Sequence, residues 1–216
     1  QLIFKFPFSK KYYEQDFFVS NNNFSAYKLI EEWPTWPGKW LNIFGAPGSG
    51  KTHLAKILEK KINKIKLIDA KNVDEGIIRD LNTIDCLIID SFENNIEENL
   101  LYSILNQSKQ LDNYILINST PSIKNINFDL KDLKSRINSF LYIGIELPTD
   151  DLLKVIISKT FSDKQVNINP KISDYIINNV ERSYEKLFKF LKDVDEMSLS
   201  TGKSININLI KKVLNK

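Results

Sequence analysis

The sequence predicts an α/β domain built on a parallel sheet, followed by a small all-helical domain. Three observations carry that reading. A glycine-rich loop sits between a strand pattern and a helix pattern at residues 40–61. Short apolar runs then alternate with helical stretches up to residue 147. At Pro148 the alternation stops, and only helical periodicity follows.

The glycine-rich loop fixes the first strand and helix. "WLNIF" reads as a buried strand and "THLAKILEKKI" as an amphipathic helix. Between them, Gly45, Gly50, Lys51 and Thr52 fit the spacing G-x-x-x-x-G-K-[ST]. Of seven glycines in the chain, Gly45, Gly48 and Gly50 stand here, where tight turns must let backbone N–H groups approach a polyphosphate. The loop Gly45, Ala46, Pro47, Gly48, Ser49, Gly50 is the predicted cradle. Lys51 would neutralise the β- and γ-phosphates, and the Thr52 hydroxyl would ligate Mg²⁺. His53 follows in the first turn of a helix whose N-terminus faces the same anion.

The remaining elements follow in order. A helix is expected over about 23–32, and "WPTWPGKW" is a loop in which Trp33, Trp36 and Trp40 serve packing. Strands are expected at 64–70, 85–90, 114–119 and 141–147. The continuous apolar run of "DCLIID" suits a parallel sheet buried on both faces. Helices are expected in "NVDEGIIRDL" and over 95–111. Four further helices follow Pro148, with starts at Asp150, Pro170 and Ser183 and a stop at Gly202. The domain boundaries expected are a tail at 1–15, a nucleotide-binding domain at 16–147 and a helical lid at 148–216.

Composition narrows the class. The chain has 216 residues, 42% hydrophobic and 26% charged, with a net charge of +3, too small to announce a nucleic-acid binder. Residues 1–147 carry 18 basic and 18 acidic side chains, and residues 148–216 carry 12 and 9. No apolar run approaches the roughly 18 residues of a membrane helix. A signal-peptide pattern is not seen, and the single cysteine, Cys86, lies in an apolar run. The expected location is the cytoplasm.

Three further positions carry chemistry. Asp90 ends an apolar run and would hold Mg²⁺ through water. Ser91 stands next, where many such ATPases place a second acid, and Glu93 could serve only if the loop bends back. Asn118, with Ser119, ends the next strand, where a polar side chain reaches the γ-phosphate or the attacking water. Arg136 in "LKDLKSRINSF" is either a surface helix residue or an arginine finger for a neighbour's nucleotide.

Together these parts resemble the AAA+ ATPases, and within them the branch of the replication initiator DnaA. The resemblance covers nearly the whole chain and rests on "GAPGSGKTHL", "LKSR" and the Asn118–Ser119 strand end. It implies a five-stranded parallel sheet with the fifth strand at one edge, then the first, fourth, third and second. It also implies adenine near Phe18, Val19 and Asn23, ADP or ATP with Mg²⁺ as cofactor, and Asn118 as the residue that senses the γ-phosphate. The chain departs from DnaA in four ways. It ends after the lid, where DnaA continues into a DNA-binding domain, so sequence-specific DNA binding is not expected. Only 14 residues (71–84) separate the second and third strands, where DnaA carries a longer helical element. It opens with "QLIFKF", similar to peptides that dock on the bacterial sliding clamp. There Gln1 would bond at the rim and Leu2, Phe4 and Phe6 would fill apolar subsites. Finally, Glu185 stands where an arginine usually reaches back from the lid.

These departures resemble the short, Hda-type members of the family. That resemblance implies a negative regulator of replication initiation, bound to the DNA polymerase III β clamp, that stimulates ATP hydrolysis by DnaA through Arg136. Two tails on one homodimer would gain avidity for the ring-shaped clamp. Ser91 and Glu185 argue for weak or no intrinsic ATPase. Two other readings stand beside it: a nucleotide-bound clamp adaptor without catalytic role, and a self-sufficient AAA+ helicase loader or remodeller. No membrane partner is expected.

Overall fold

The computed structural model describes residues 12–215. Among them two compact units are present, Tyr12–Glu146 and one that runs from Leu147 onward. None of the described helices is long and apolar enough to cross a membrane.

The first unit alternates strands and helices in chain order. These are α1 (Phe24–Glu31), β1 (Trp40–Gly45), α2 (Lys51–Lys61), β2 (Ile65–Asp69), α3 (Gly76–Asp80), β3 (Cys86–Phe92), α4 (Glu98–Gln110), β4 (Tyr114–Ser119), α5 (Lys131–Ile137) and β5 (Leu141–Ile145). The five strands form one parallel sheet in the order β2-β3-β4-β1-β5, the order expected from the resemblance. Side chains along a strand alternate between faces, so each strand feeds two cores. Leu87 and Ile89 of β3 meet α3, α4 and α5, whereas Cys86 and Ile88 meet α1 and α2. That two-sided burial is the physical reason for the unbroken apolar runs in the sequence.

One strand is irregular. In the β3–β4 pairing, Ile89 faces Ile117 and Phe92 faces Ser119, so β3 holds one extra residue. Ser91 takes a left-handed backbone there, with φ 59°. Such a bulge re-aims side chains at a strand end. The tryptophans pack as expected. The Trp36 Nε1–H donates to the Leu29 carbonyl (2.6 Å), Trp33 lies edge-on to Trp36 and Tyr114, and Trp40 meets Phe140.

The second unit holds α6 (Asp150–Ser162), α7 (Pro170–Asn179), α8 (Tyr184–Thr201) and α9 (Ile207–Leu214). Each start is capped by a side chain that accepts an otherwise orphaned backbone N–H: Thr149, Asn169, Ser183 and Asn206. Pro170 occupies the first turn of α7, where its missing N–H costs nothing. Gly202 ends α8 in the left-handed region, with φ 63°. Ile157, Phe161, Ile176, Leu191, Val194 and Ile210 form the centre of its own core.

Candidate nucleotide site

The site is built where β1, β3 and β4 end and α2 begins. Gly45 closes β1 with no room for a side chain, because a Cβ would lie 2.8 Å from the Ile145 carbonyl of β5. Gly48 (φ 81°) and Gly50 (φ 101°) supply left-handed turns that L side chains resist. Between them, Ala46, Pro47 and Ser49 complete the loop that leads into the first turn of α2. The Lys51 ammonium folds back over this loop and donates to the carbonyls of Gly45 (2.7 Å) and Ala46 (3.1 Å). Burial pushes its pKa down, and the negative charges of Asp90 and Glu93 pull it back up.

Thr52, Asp90 and Asn118 form one hydrogen-bonded set. The Thr52 hydroxyl donates to Asp90 Oδ2 (2.7 Å). The Asn118 amide donates to Asp90 Oδ1 (2.8 Å) and to the Lys51 carbonyl (3.0 Å). Both oxygens of the buried Asp90 are therefore engaged, and the end of β4 is stitched to the start of α2. Two polar atoms here have no partner among the described residues, Ser49 Oγ and Asn118 Oδ1, and both are buried. Orphaned polar atoms beside an open helix N-terminus and a turned-back ammonium fit a polyphosphate. Among the described residues no group of three or more His, Cys, Asp or Glu gathers to hold an ion. Thr52 and Asp90 fit Mg²⁺ only if phosphate and water complete its shell, which suits an ion that keeps several waters.

Ser91, just past Asp90, is exposed, as is Glu93, whose backbone N–H donates to Asn95 Oδ1 (3.2 Å). The Glu93 charge adds, after that of Asp90, to the pull that raises the Lys51 pKa.

The segment before α1 lies beside the loop. Asn23 folds it by donating to the Phe18 carbonyl and accepting from the Ser20 N–H, both at 2.9 Å. Phe18 is exposed and Val19 half-buried. His53 reaches from α2 to the Tyr13 carbonyl through Nε2 (2.7 Å). Phe17, not singled out in the sequence, stacks on Tyr27 and meets the His53 ring edge-on. A Cβ at residue 50 would lie 2.9 Å from the Phe17 ring, so this aromatic closes against the phosphate loop itself.

Asn42 was also missed. It is fully buried in β1, donates to the Ile117 carbonyl (2.8 Å) and Ser119 Oγ (2.9 Å), and accepts from the Ile123 N–H (3.1 Å). It fixes the chain leaving β4 just beyond Asn118. A lone polar residue in the apolar run "WLNIF" was the available signal.

Arg136 is not brought to this group. It is half-buried on α5, which packs in the core on the sheet face opposite α2, and its Nη2 donates to Asn106 Oδ1 of α4 (2.8 Å). On the lid, Glu185 is exposed in the first turn of α8, and Arg182 pairs with Asp150 at 3.1 Å. Gln1, Leu2, Phe4 and Phe6 lie outside the described residues.

Residues 150–214 match the lid domain of the Hda family. The chain is 24% identical to the chromosomal replication initiator protein DnaA of Buchnera aphidicola subsp. Cinara cedri, across 100% of this chain and 55% of that protein. It thus spans about half the length of curated DnaA relatives such as this one. Among solved structures, domain III of Thermotoga maritima DnaA shares the fold, with a TM-score of 0.80, 20% identity and coverage of 97% of this chain and 98% of that one. AMPPCP-bound DnaA from Aquifex aeolicus aligns at a TM-score of 0.69 and 18% identity, over 89% of this chain and 67% of that one. With the lid match at one end and initiator relatives across its length, the chain is similar to DnaA throughout, shares the fold of DnaA domain III and carries a lid of the Hda type.

Proposed function

We propose that this protein regulates replication initiation by stimulating hydrolysis of the ATP held by DnaA, with Arg136 supplied in trans. The observation that carries this reading is the place of Arg136. It stands on the sheet face opposite α2, and its guanidinium is tied to a neutral amide, so its charge remains available to another molecule's nucleotide. A guanidinium is always charged and can hydrogen-bond two phosphoryl oxygens at once. In the partner, water attacks the γ-phosphorus, the bond to the β-bridging oxygen breaks, and charge builds on the oxygens that Arg136 would meet.

The chain's own site is a grip for ADP or ATP. The backbone N–H groups of residues 45–50 take the phosphates, and Lys51 trades its two loop carbonyls for phosphate oxygens. Phe18, Val19 and Asn23 border the adenine, and His53 ties the segment before them to α2. The Thr52 hydroxyl, and Asp90 through water, would hold Mg²⁺, which would supply positive charge against the phosphates. Asn118 donates to Asp90 and so keeps it in place, and it would sense the γ-phosphate. With Ser91 in place of a second acid, intrinsic turnover is weak. The tail residues Gln1, Leu2, Phe4 and Phe6 would bring the protein to the polymerase III β clamp, and a homodimer would engage the ring twice.

The test is ATP hydrolysis by the cognate DnaA with clamp loaded on DNA. Wild-type protein should accelerate it, Arg136→Ala should not, and Arg136→Lys should fail largely. Equal acceleration by wild type and Arg136→Ala would replace this reading with that of a clamp adaptor.

A further inference from the structure

α5 is fastened to α4 at both ends. Before its first turn, the Glu98 carboxylate accepts the backbone N–H groups of Asp129 (3.0 Å) and Leu130 (2.8 Å). In its last turn, Arg136 Nη2 donates to Asn106 Oδ1 (2.8 Å). The other guanidinium N–H groups have no hydrogen-bond partner among the described residues, and Arg136 forms no ion pair with any of them. An acid is nevertheless close in sequence. Asp132 precedes Arg136 by four positions on the same helix, the order that favours pairing along an α-helix. The arginine instead crosses to a neutral acceptor on a different helix.

We propose that Asn106 is the positioning residue for Arg136: its amide oxygen aims the guanidinium while leaving the positive charge uncancelled. This deepens the trans-arginine reading and rests on it. The choice of acceptor decides what the arginine can do next. An amide oxygen takes one N–H and carries no net charge, so the remaining donors and the full charge stay available to a phosphoryl oxygen. A carboxylate of the same shape would form a charge-assisted bond roughly twice as strong and could take two donors side by side. It would hold Arg136 at least as firmly and disarm it. A geometry-only role for residue 106 therefore predicts that Asp serves as well as Asn. The positioning role predicts that it does not.

The experiment compares Asn106→Asp, Asn106→Ala and Asn106→Gln with wild type in stimulated ATP hydrolysis by DnaA, titrated to saturation. Melting temperature and ADP binding are measured on each variant. N106D should leave both unchanged and leave half-saturation near wild type, yet lower the maximal stimulated rate at least about tenfold, the scale on which misplaced catalytic groups lose rate. N106A, which frees the arginine without neutralising it, should lose less. N106Q, which keeps the amide one methylene further out, should recover part of the rate. Wild-type stimulation by N106D overturns the proposal. So does any further loss when N106D is added to R136A, because Asn106 would then act other than through Arg136. If R136A alone stimulates like wild type, the trans-arginine reading itself fails, in an arm that does not touch residue 106, and the positioning role falls with it.

Discussion

Burial holds the Lys51 ammonium below its ordinary pKa, and Asp90 and Glu93 offset that only in part. The folded chain thus disfavours this charge relative to the unfolded one. At neutral pH both states keep the proton and the penalty is constant. As pH rises, the folded chain releases its proton first, so this residue's contribution to stability grows between the lowered and the ordinary lysine pKa. Lys51→Met removes the charge and keeps most of the stem. The nucleotide-free variant should melt no lower than wild type, and its alkaline slope should lose this component. ADP should stabilise wild type by about 2.7 kcal/mol at one hundred times Kd. Calorimetry that finds the same gain in Lys51→Met would contradict the assignment. Asn42 presents the opposite case, a buried polar group that is fully used. Asn42→Ala strands the Ile123 N–H without an acceptor and should cost about 1–3 kcal/mol in urea unfolding.

The glycines and caps decide where elements turn, and their substitutions separate strain from crowding. Gly202→Ala meets open space at φ 63°, so only the backbone resists, by about 1–2 kcal/mol. Gly50→Ala adds a clash with Phe17 at φ 101° and should cost more, with loss of ADP binding besides. If both variants unfold at the same urea concentration, Phe17 does not press on the loop. The strands were legible because burial on both faces leaves continuous apolar runs, and 114–119 was read to the residue. The strand read as 141–147 stops at Ile145, and the helix read as 95–111 covers only Glu98–Gln110. α5 was legible only as a context for Arg136, since seven residues are too few to show a period. Lys51, Thr52, Asp90 and Asn118 could be found because each sits at a fixed offset from a strand end. Asn106 and Phe17 could not, because their partners are contacts made through space: Arg136 is 30 positions from Asn106, and Gly50 is 33 from Phe17.

The two units carry separate cores, and each unit contains one tyrosine whose pKa burial raises to about 12, Tyr142 in β5 and Tyr184 at the start of α8. In both, the folded state favours the neutral phenol. The stability this contributes is fully present below pH 10.0, the unfolded value, and is lost as pH rises through the folded value near 12. Urea midpoints should therefore fall across that window. Tyr142→Phe and Tyr184→Phe should each remove a part of the fall, and slopes identical to wild type would show that neither group titrates late. The bulge in β3 holds Ser91 in a left-handed backbone. Among residues with side chains, aspartate and asparagine tolerate a left-handed backbone best, so the conformation of Ser91 would accept an acid more readily than the serine it has. The scaffold has not closed the door on self-sufficient turnover. Ser91→Asp should show that tolerance as ATP turnover by the isolated protein, with ADP affinity unchanged and no rebuilding of the strand.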